Sequence, residues 1–138
     1  MSWNDDKFNQ EDENQQYEKV PYGTYEVAVI KLETTTSKSS GKDMVTCWFK
    51  ILTGDHKDRI IFMNQVVEKA FQRKILDEVL KKLVDDLPIA IKYENPRELY
   101  VLIMDIFEAI SGKLEYALEF NKDGKFDSFR ISQVFDAS

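Results

Sequence analysis

The spacing of the apolar residues changes twice along this chain of 138 residues, and these changes limit the folds open to it. Between residues 20 and 64 the pattern is that of strands, with apolar and polar residues alternating most clearly from Met44 to Leu52. Apolar residues then recur every three or four residues as far as Gly112, which is typical of amphipathic helices, and alternate again towards the end. The order is therefore three strands, a helical insertion and two strands.

The clearest alternation runs from Met44 to Leu52 and predicts the second strand. One face carries an unbroken apolar row, which we expect in the core: Val45, Cys47, Phe49 and Ile51. Trp48 lies on the other face, between Thr46 and Lys50. The pattern therefore separates a buried row from a face that carries an aromatic ring and a cation.

The strands on either side are less clearly patterned. The first is predicted over Thr24 to Glu33, and it has apolar residues on both faces, so we expect it to be covered on both sides. The third is predicted over residues 59–64 and forms a hairpin with the second. Its inward residues are predicted to be Ile60 and Phe62, and its outward residues Arg59, Ile61 and Met63.

Two helices are predicted in the insertion. Residues spaced by four give the apolar stripe of the first: Val67, Phe71, Ile75, Val79 and Leu83. Asn95 and Pro96 supply the N-cap and first-turn proline of the second, which ends at Gly112. Its stripe is predicted to be Leu99, Leu102, Ile103, Ile106 and Ile110.

The last two strands are predicted over residues 114–120 and from Phe126 to Phe135, joined by the turn sequence NKDGK. The whole order is that of a five-stranded OB-like barrel with a helical insertion between strands three and four. We therefore expect a mainly β protein whose OB-like domain spans residues 20–138. Other small α+β sheets share this order, so the barrel is one interpretation of it.

Residues 1–19 are polar and acidic and lack apolar periodicity, which predicts a disordered acidic N-terminal tail. Trp3 and Phe8 within it would suit a docking sequence for another protein, although a solubilising tail is the simpler interpretation.

The net charge of −6 argues against a nucleic-acid partner, because phosphates are bound by lysine and arginine. The charges are unevenly distributed, however. Residues 1–19 carry six acidic and two basic side chains, residues 20–82 eight and eleven, and residues 83–138 eleven and six. We therefore expect any basic surface in the first half of the domain.

Few residues suit catalysis or metal binding. His56 is the single histidine and lies in a predicted turn, Cys47 is the single cysteine and belongs to the apolar row, and no glycine-rich phosphate loop is recognisable. We therefore expect no enzymatic activity, no catalytic residues, no metal site and no cofactor. No membrane span or signal peptide is recognisable either, so we expect a cytoplasmic protein.

A binding surface remains, and the outer face of strands two and three is where OB barrels receive oligonucleotides. Trp48 would stack on bases regardless of sequence, and cations near it would follow the phosphates. The candidate DNA-binding residues are Trp48, Lys50, Lys31, Lys38, Lys42, Lys57 and Arg59, with Lys122, Lys125 and Arg130 from the last hairpin. Two plainer interpretations stay open: the helices cover Trp48, or the lysines only solvate the surface.

Three segments also resemble a known family: VPYGTYEVAVIKLE, SKSSGKDMVTCWFKILTGDHKDRIIFMNQ and LIMDIFEAISGKLEYALEF. They are similar to small proteins encoded in the replication and recombination modules of phages that infect Gram-positive bacteria, over roughly residues 20–135. Members of that family are associated with single-stranded DNA, and the resemblance implies an OB-like fold. It also supports the hairpin of WFKIL and IIFMNQ as the binding surface.

The function predicted first is sequence-tolerant binding of single-stranded DNA during phage DNA replication or recombination, in the cytoplasm of the host cell. Phage recombination or replication proteins are further candidate partners, no membrane is involved, and cooperative assembly on DNA would favour a homo-oligomer. The alternative is an acidic protein-binding or inhibitory module that acts on a host or phage protein, with Trp48 as its anchor.

Overall fold

A computed structural model describes residues 19–137 of the chain. Its elements are β1 (Gly23–Thr36), β2 (Asp43–Ile51), β3 (Ile60–Val66), α1 (Ala70–Val84), α2 (Pro96–Ile110), β4 (Leu114–Asp123) and β5 (Phe126–Asp136). The predicted order of strands and helices is confirmed. The predicted tail lies outside the described residues, apart from Lys19.

The five strands form one antiparallel sheet in the order β3-β2-β1-β4-β5. The protein is therefore mainly β, as predicted, with both helices inserted between β3 and β4. Strands β3 and β5 are the two edges of the sheet. β1 lies at its centre and pairs with β2 and β4.

The core lies between one face of the sheet and the two helices. The predicted row of β2 is fully buried, and Cys47 is among the residues with no exposed surface. Tyr116 of β4 is also fully buried, and its hydroxyl donates a hydrogen bond of 2.6 Å to the carbonyl oxygen of Leu83 at the end of α1. The helices therefore pack on the face of the sheet that carries the row of Cys47.

The predicted faces of β3 are wrong. Ile61 and Met63 are each only 2% exposed and face the core, whereas Phe62 is 36% exposed on the other side. The pairing of β2 with β3 explains the difference, because Phe62 lies directly opposite Trp48 and Ile61 opposite Phe49. Residues opposite each other in a sheet share a face, so the burial of Phe49 fixes that of Ile61.

The expectation that β1 is covered on both sides is also wrong. Val29 and Leu32 both face the core, although they are three residues apart, and Ile30 between them is 41% exposed. A bulge between Val29 and Lys31 inserts one extra residue, so the inward face changes phase along the strand. Val29 and Leu32, which a regular strand would place on opposite faces, thus both belong to the core face, and Ile30 between them does not.

Helix α2 agrees with the prediction, but the apolar stripe of α1 does not. In α2 the five predicted residues are buried, and the Asn95 side chain accepts a hydrogen bond from the backbone N–H of Glu98. In α1, Phe71 and Ile75 are 61% and 48% exposed, whereas Leu76 and Leu80 are fully buried. Val67 is buried as predicted but precedes α1. With 3.6 residues per turn, positions spaced by four drift around the helix, so Phe71 and Ile75 leave the buried side on which Val79 and Leu83 lie.

Candidate nucleic-acid interface

A row of three side chains crosses the outer face of the sheet, on the side away from the helices. Lys31 of β1 lies opposite Trp48 of β2, and Trp48 lies opposite Phe62 of β3. We call these three residues the aromatic row. Trp48 is half-buried, and both of its neighbours in the row pack against its ring.

The geometry of the aromatic row combines a cation with two rings. The Nζ atom of Lys31 lies 4.2 Å from the centre of the Trp48 ring, a cation–π distance. The rings of Trp48 and Phe62 meet edge to face, with centres 5.0 Å apart and planes at 82°. The row therefore presents a partly exposed aromatic surface with a positive charge beside it.

Phe62 was missing from the residues predicted from the sequence. The signal that identifies it is the register of the hairpin, since a residue opposite Trp48 must share its face. Sequence alternation in the short segment 59–64 gave the opposite answer, because four of its residues are apolar and either set can be the inward one.

Polar and cationic side chains flank the aromatic row along β2. On one side, the Nζ atom of Lys50 lies 3.6 Å from a carboxylate oxygen of Asp58. On the other, the hydroxyl of Thr46 donates a hydrogen bond of 2.8 Å to the side-chain oxygen of Asn64. The aromatic row thus has a cation on one flank and a satisfied polar pair on the other.

The remaining predicted cations of the first half lie at the two ends of the β2–β3 surface. Lys38 is exposed in the turn after β1, and Lys42 lies 3.7 Å from Glu68. Lys57 is exposed in the connection between β2 and β3, where Arg59 is half-buried. These four residues therefore lie at the two ends of strands β2 and β3, and the aromatic row lies between the two ends.

The three cations predicted from the last hairpin belong to a separate part of the sheet. Lys122 and Lys125 are exposed near the tip of β4–β5, and Arg130 lies 3.6 Å from Glu119. This hairpin pairs with residues 23–27 at the start of β1, whereas Lys31 of the aromatic row lies further along that strand. Glu26 of β1 and Glu119 of β4 lie on the outer face where these two strands pair.

Residues capable of other chemistry are engaged or inaccessible. Cys47 is fully buried, and burial raises the pKa of its thiol far above its usual range. The ring of His56 lies in a turn and contacts the edge of Tyr25, with centres 6.0 Å apart. Within residues 19–137, no three His, Cys, Asp or Glu side chains are placed to hold a metal ion together.

A cavity of about 430 Å³ lies between the ends of β1 and β2 and the segment before α2. Two of the polar side chains that line it, Arg73 and Tyr93, have partners within the protein. Arg73 donates to the carbonyl oxygens of Val67 and Glu68, and the hydroxyl of Tyr93 donates to Asp77. None of the predicted site residues lines this cavity.

A protein-family model described as "Protein of unknown function (DUF669)" matches residues 6–112, which include the aromatic row and both helices. Comparison with curated proteins gave no match. Neither helix within the described residues is long and apolar enough to cross a membrane.

Proposed function

We propose that this chain, which belongs to the DUF669 family, binds single-stranded DNA with little regard to sequence on the outer face of β1, β2 and β3. The observation that carries the proposal is the aromatic row. Two rings and an ammonium group lie side by side on a face of the sheet that the helices leave free. Bases stack on such rings, and lysines beside them follow the phosphates.

The ion pairs on this surface do not oppose DNA binding. Lys31, Lys42 and Lys50 each lie 3.3–3.7 Å from a carboxylate, and their side chains are 36–43% exposed. Exposed pairs of this kind are worth about 0–1 kcal/mol, so exchanging the carboxylate for a phosphate costs little. The release of counterions from the DNA then favours the complex.

The distribution of charge supports the same surface. Six of the acidic residues precede residue 20, and residues 20–82, which include the aromatic row, carry eleven basic and eight acidic side chains. The half of the sheet that carries the aromatic row is surrounded by Lys38, Lys42, Lys50, Lys57 and Arg59. A net charge of −6 therefore coexists with a locally basic face.

The proposal includes the fold. Five strands with the helices between the third and fourth match the plan of a partly open OB barrel. In the order β3-β2-β1-β4-β5, closure would require the edges β3 and β5 to meet. An approach of β5 towards the β2–β3 hairpin is supported by Phe129 of β5 and Phe49 of β2, whose rings stack across the core with centres 6.3 Å apart.

The resemblance to phage proteins of replication and recombination modules supports the setting of the proposed function. In that setting the protein would coat single strands exposed during DNA copying or strand exchange, within the host cytoplasm. Its partners would be the phage proteins that act on the same strands.

Tryptophan fluorescence offers a direct test, because the chain has two tryptophans and only Trp48 belongs to the proposed site. In a Trp3→Phe background, oligothymidylate should quench the emission of Trp48. Affinity for a fluorescein-labelled oligothymidylate should fall steeply with salt. Tyr100→Ala, which alters an exposed ring on α2, should leave binding unchanged. No binding at low salt would exclude the proposal.

One observation favours a protein-binding module whose anchor is helix α2 instead of Trp48, the anchor expected from the sequence. Helix α2 exposes Tyr100, Val101 and Met104 to about half of their full extent, on the face opposite its buried stripe. A basic protein partner that needs this face would be lost from Tyr100→Ala/Met104→Ala and retained by Trp48→Ala, with or without nuclease. Loss of the same partner on nuclease treatment would favour DNA binding instead.

A further inference from the structure

A narrow cavity opens where the two edges of the sheet approach each other. It has a volume of about 210 Å³, and we call it the edge slot. Its lining residues are Lys19, Val20, Ile60, Ile61, Phe62, Phe120 and Asp127. Its walls are therefore mostly aliphatic and aromatic, and its two charged residues are Lys19 and Asp127.

The charged end of the edge slot is held by a small network of hydrogen bonds. The Nζ atom of Lys19 lies 2.7 Å from Oδ1 of Asp127 and 2.9 Å from the Tyr22 hydroxyl, which itself donates to Asp127 at 2.8 Å. The ring of Tyr22 packs on Phe120, with centres 5.0 Å apart. The Lys19 side chain remains 54% exposed, so its ammonium is accessible to a ligand.

The edge slot and the aromatic row share Phe62. The slot also reaches the last hairpin, where Lys122 lies opposite Asp127 in the β4–β5 pairing. Residues of the β3 edge and residues of the β4–β5 hairpin therefore both line the edge slot.

We infer that the edge slot receives one base of the single strand that stacks on the aromatic row, and that Lys19 contacts the adjoining phosphate. This inference rests on the proposed function and adds a second base site to it. Pockets that enclose whole small ligands measure about 300–1,000 Å³. The edge slot is smaller and apolar, which suits a single planar ring with its sugar and phosphate outside.

Substitutions of Lys19 and of Asp127 should change the affinity for oligothymidylate in different directions, which allows a test. Lys19→Ala removes the cation and should weaken oligothymidylate binding, with the salt slope reduced by about 0.7 for one lost phosphate contact. Asp127→Asn removes the competing carboxylate while it keeps an oxygen acceptor, so it should bind at least as tightly as wild type. Lys81→Ala, on exposed α1 surface, is the matched control and should have no effect.

The outcomes separate this inference from the proposed function. Equal weakening by Lys19→Ala and Asp127→Asn would mean that the pair only supports the fold, and would overturn the inference. Weakening by Trp48→Ala without any effect of Lys19→Ala would overturn the edge slot and leave the aromatic row. If neither Trp48→Ala nor Lys19→Ala alters binding, both the aromatic row and the edge slot are excluded as DNA sites.

Crosslinking locates the bases independently. An oligothymidylate with one 5-iododeoxyuridine, moved along the strand, should give adducts at Trp48 from one position. Neighbouring positions should give adducts at Phe120, which lines the edge slot, or at Tyr22, which packs on Phe120. Adducts confined to Trp48 at every position would overturn the second base site.

Discussion

The ammonium of Lys31 lies over the ring of Trp48 because β1 has a bulge at Ile30. Val29 is paired with Phe49, so a regular strand would place Ile30 opposite Trp48 and Lys31 opposite Cys47, facing the core. The extra residue moves Lys31 to the outer face and leaves Leu32 opposite Cys47. The bulge thus keeps a charge out of the core and places it in the proposed DNA site.

Lys31→Gln should lower the free energy of unfolding by about 0.5–1 kcal/mol, because it removes the cation from the Trp48 ring. Lys31→Arg should restore most of this loss, since a guanidinium also stacks on aromatic faces. Urea denaturation measures both variants, and Lys38→Gln, in an exposed turn, is the control. A loss in the control equal to that of Lys31→Gln would mean that net charge, not the ring contact, is responsible.

Neighbouring residues of β2 should respond in opposite ways to truncation. Trp48→Ala should weaken DNA binding by about 1–3 kcal/mol for one lost stacking surface, with only a modest drop in melting temperature. Phe49→Ala should destabilise the fold by about 3–5 kcal/mol, because Phe49 is fully buried. Oligonucleotide titration and thermal unfolding distinguish the two, and the reverse pattern would contradict the assigned faces of β2.

Strand β3 allows the same comparison of an outer with a buried residue, at two positions whose faces were predicted wrongly from the sequence. Phe62→Ala should weaken DNA binding, because Phe62 forms half of the ring pair with Trp48, and should reduce stability by only about 0.5–1.5 kcal/mol. Met63→Ala should cost about 2–5 kcal/mol in stability, because it creates a cavity in the core. Preserved DNA binding by Phe62→Ala would remove this ring from the site.

The parts of the fold that the sequence predicted correctly have strong local signals. The row of β2 and the stripe of α2 follow from regular spacing, and the cap at Asn95 follows from its position before Pro96. Apart from the stripe of α1, the errors arose where pairing between strands decides the face. The bulge at Ile30 and the register of Phe62 depend on neighbouring strands, which a single segment does not encode.

The candidate site was predictable to a similar extent. Trp48, Lys31 and Lys50 lie together as expected, because alternation placed two of them on one face of β2. The edge slot was not predictable, since it joins Lys19, at the start of the described chain, to Asp127 across 108 positions of sequence. Contacts of that range depend on the tertiary fold rather than on any local pattern.

Tyr116→Phe should reduce the free energy of unfolding by about 1–3 kcal/mol. The substitution keeps the ring and removes the hydroxyl that donates to the carbonyl of Leu83, which leaves a buried acceptor without this donor. Urea denaturation measures the loss, and Tyr100→Phe, at a half-exposed ring on α2, should change stability by less than about 0.5 kcal/mol. Equal losses of unfolding free energy in Tyr116→Phe and Tyr100→Phe would mean that the hydrogen bond between Tyr116 and Leu83 does not stabilise the fold.

Asp127 should make stability depend on pH in the acid range. Burial tends to raise the pKa of this carboxyl, but the hydrogen bonds from Lys19 and Tyr22 outweigh it and hold the pKa below the usual value. The unfolded chain therefore binds the proton more readily, so this contribution to stability is present above the unfolded pKa of aspartate and is lost as pH falls through the lower folded pKa.

Unfolding free energies measured from about pH 6 down to about pH 2 should consequently fall less steeply for Asp127→Asn than for wild type. Asp123→Asn, at the exposed tip of the same hairpin, is the matched control and should follow the wild-type curve. High salt should reduce the difference between Asp127→Asn and wild type, because the Lys19 side chain is half-exposed and its charge is screened. Parallel curves for wild type and Asp127→Asn at low salt would show that the contact between Lys19 and Asp127 does not hold the first described residues against β5.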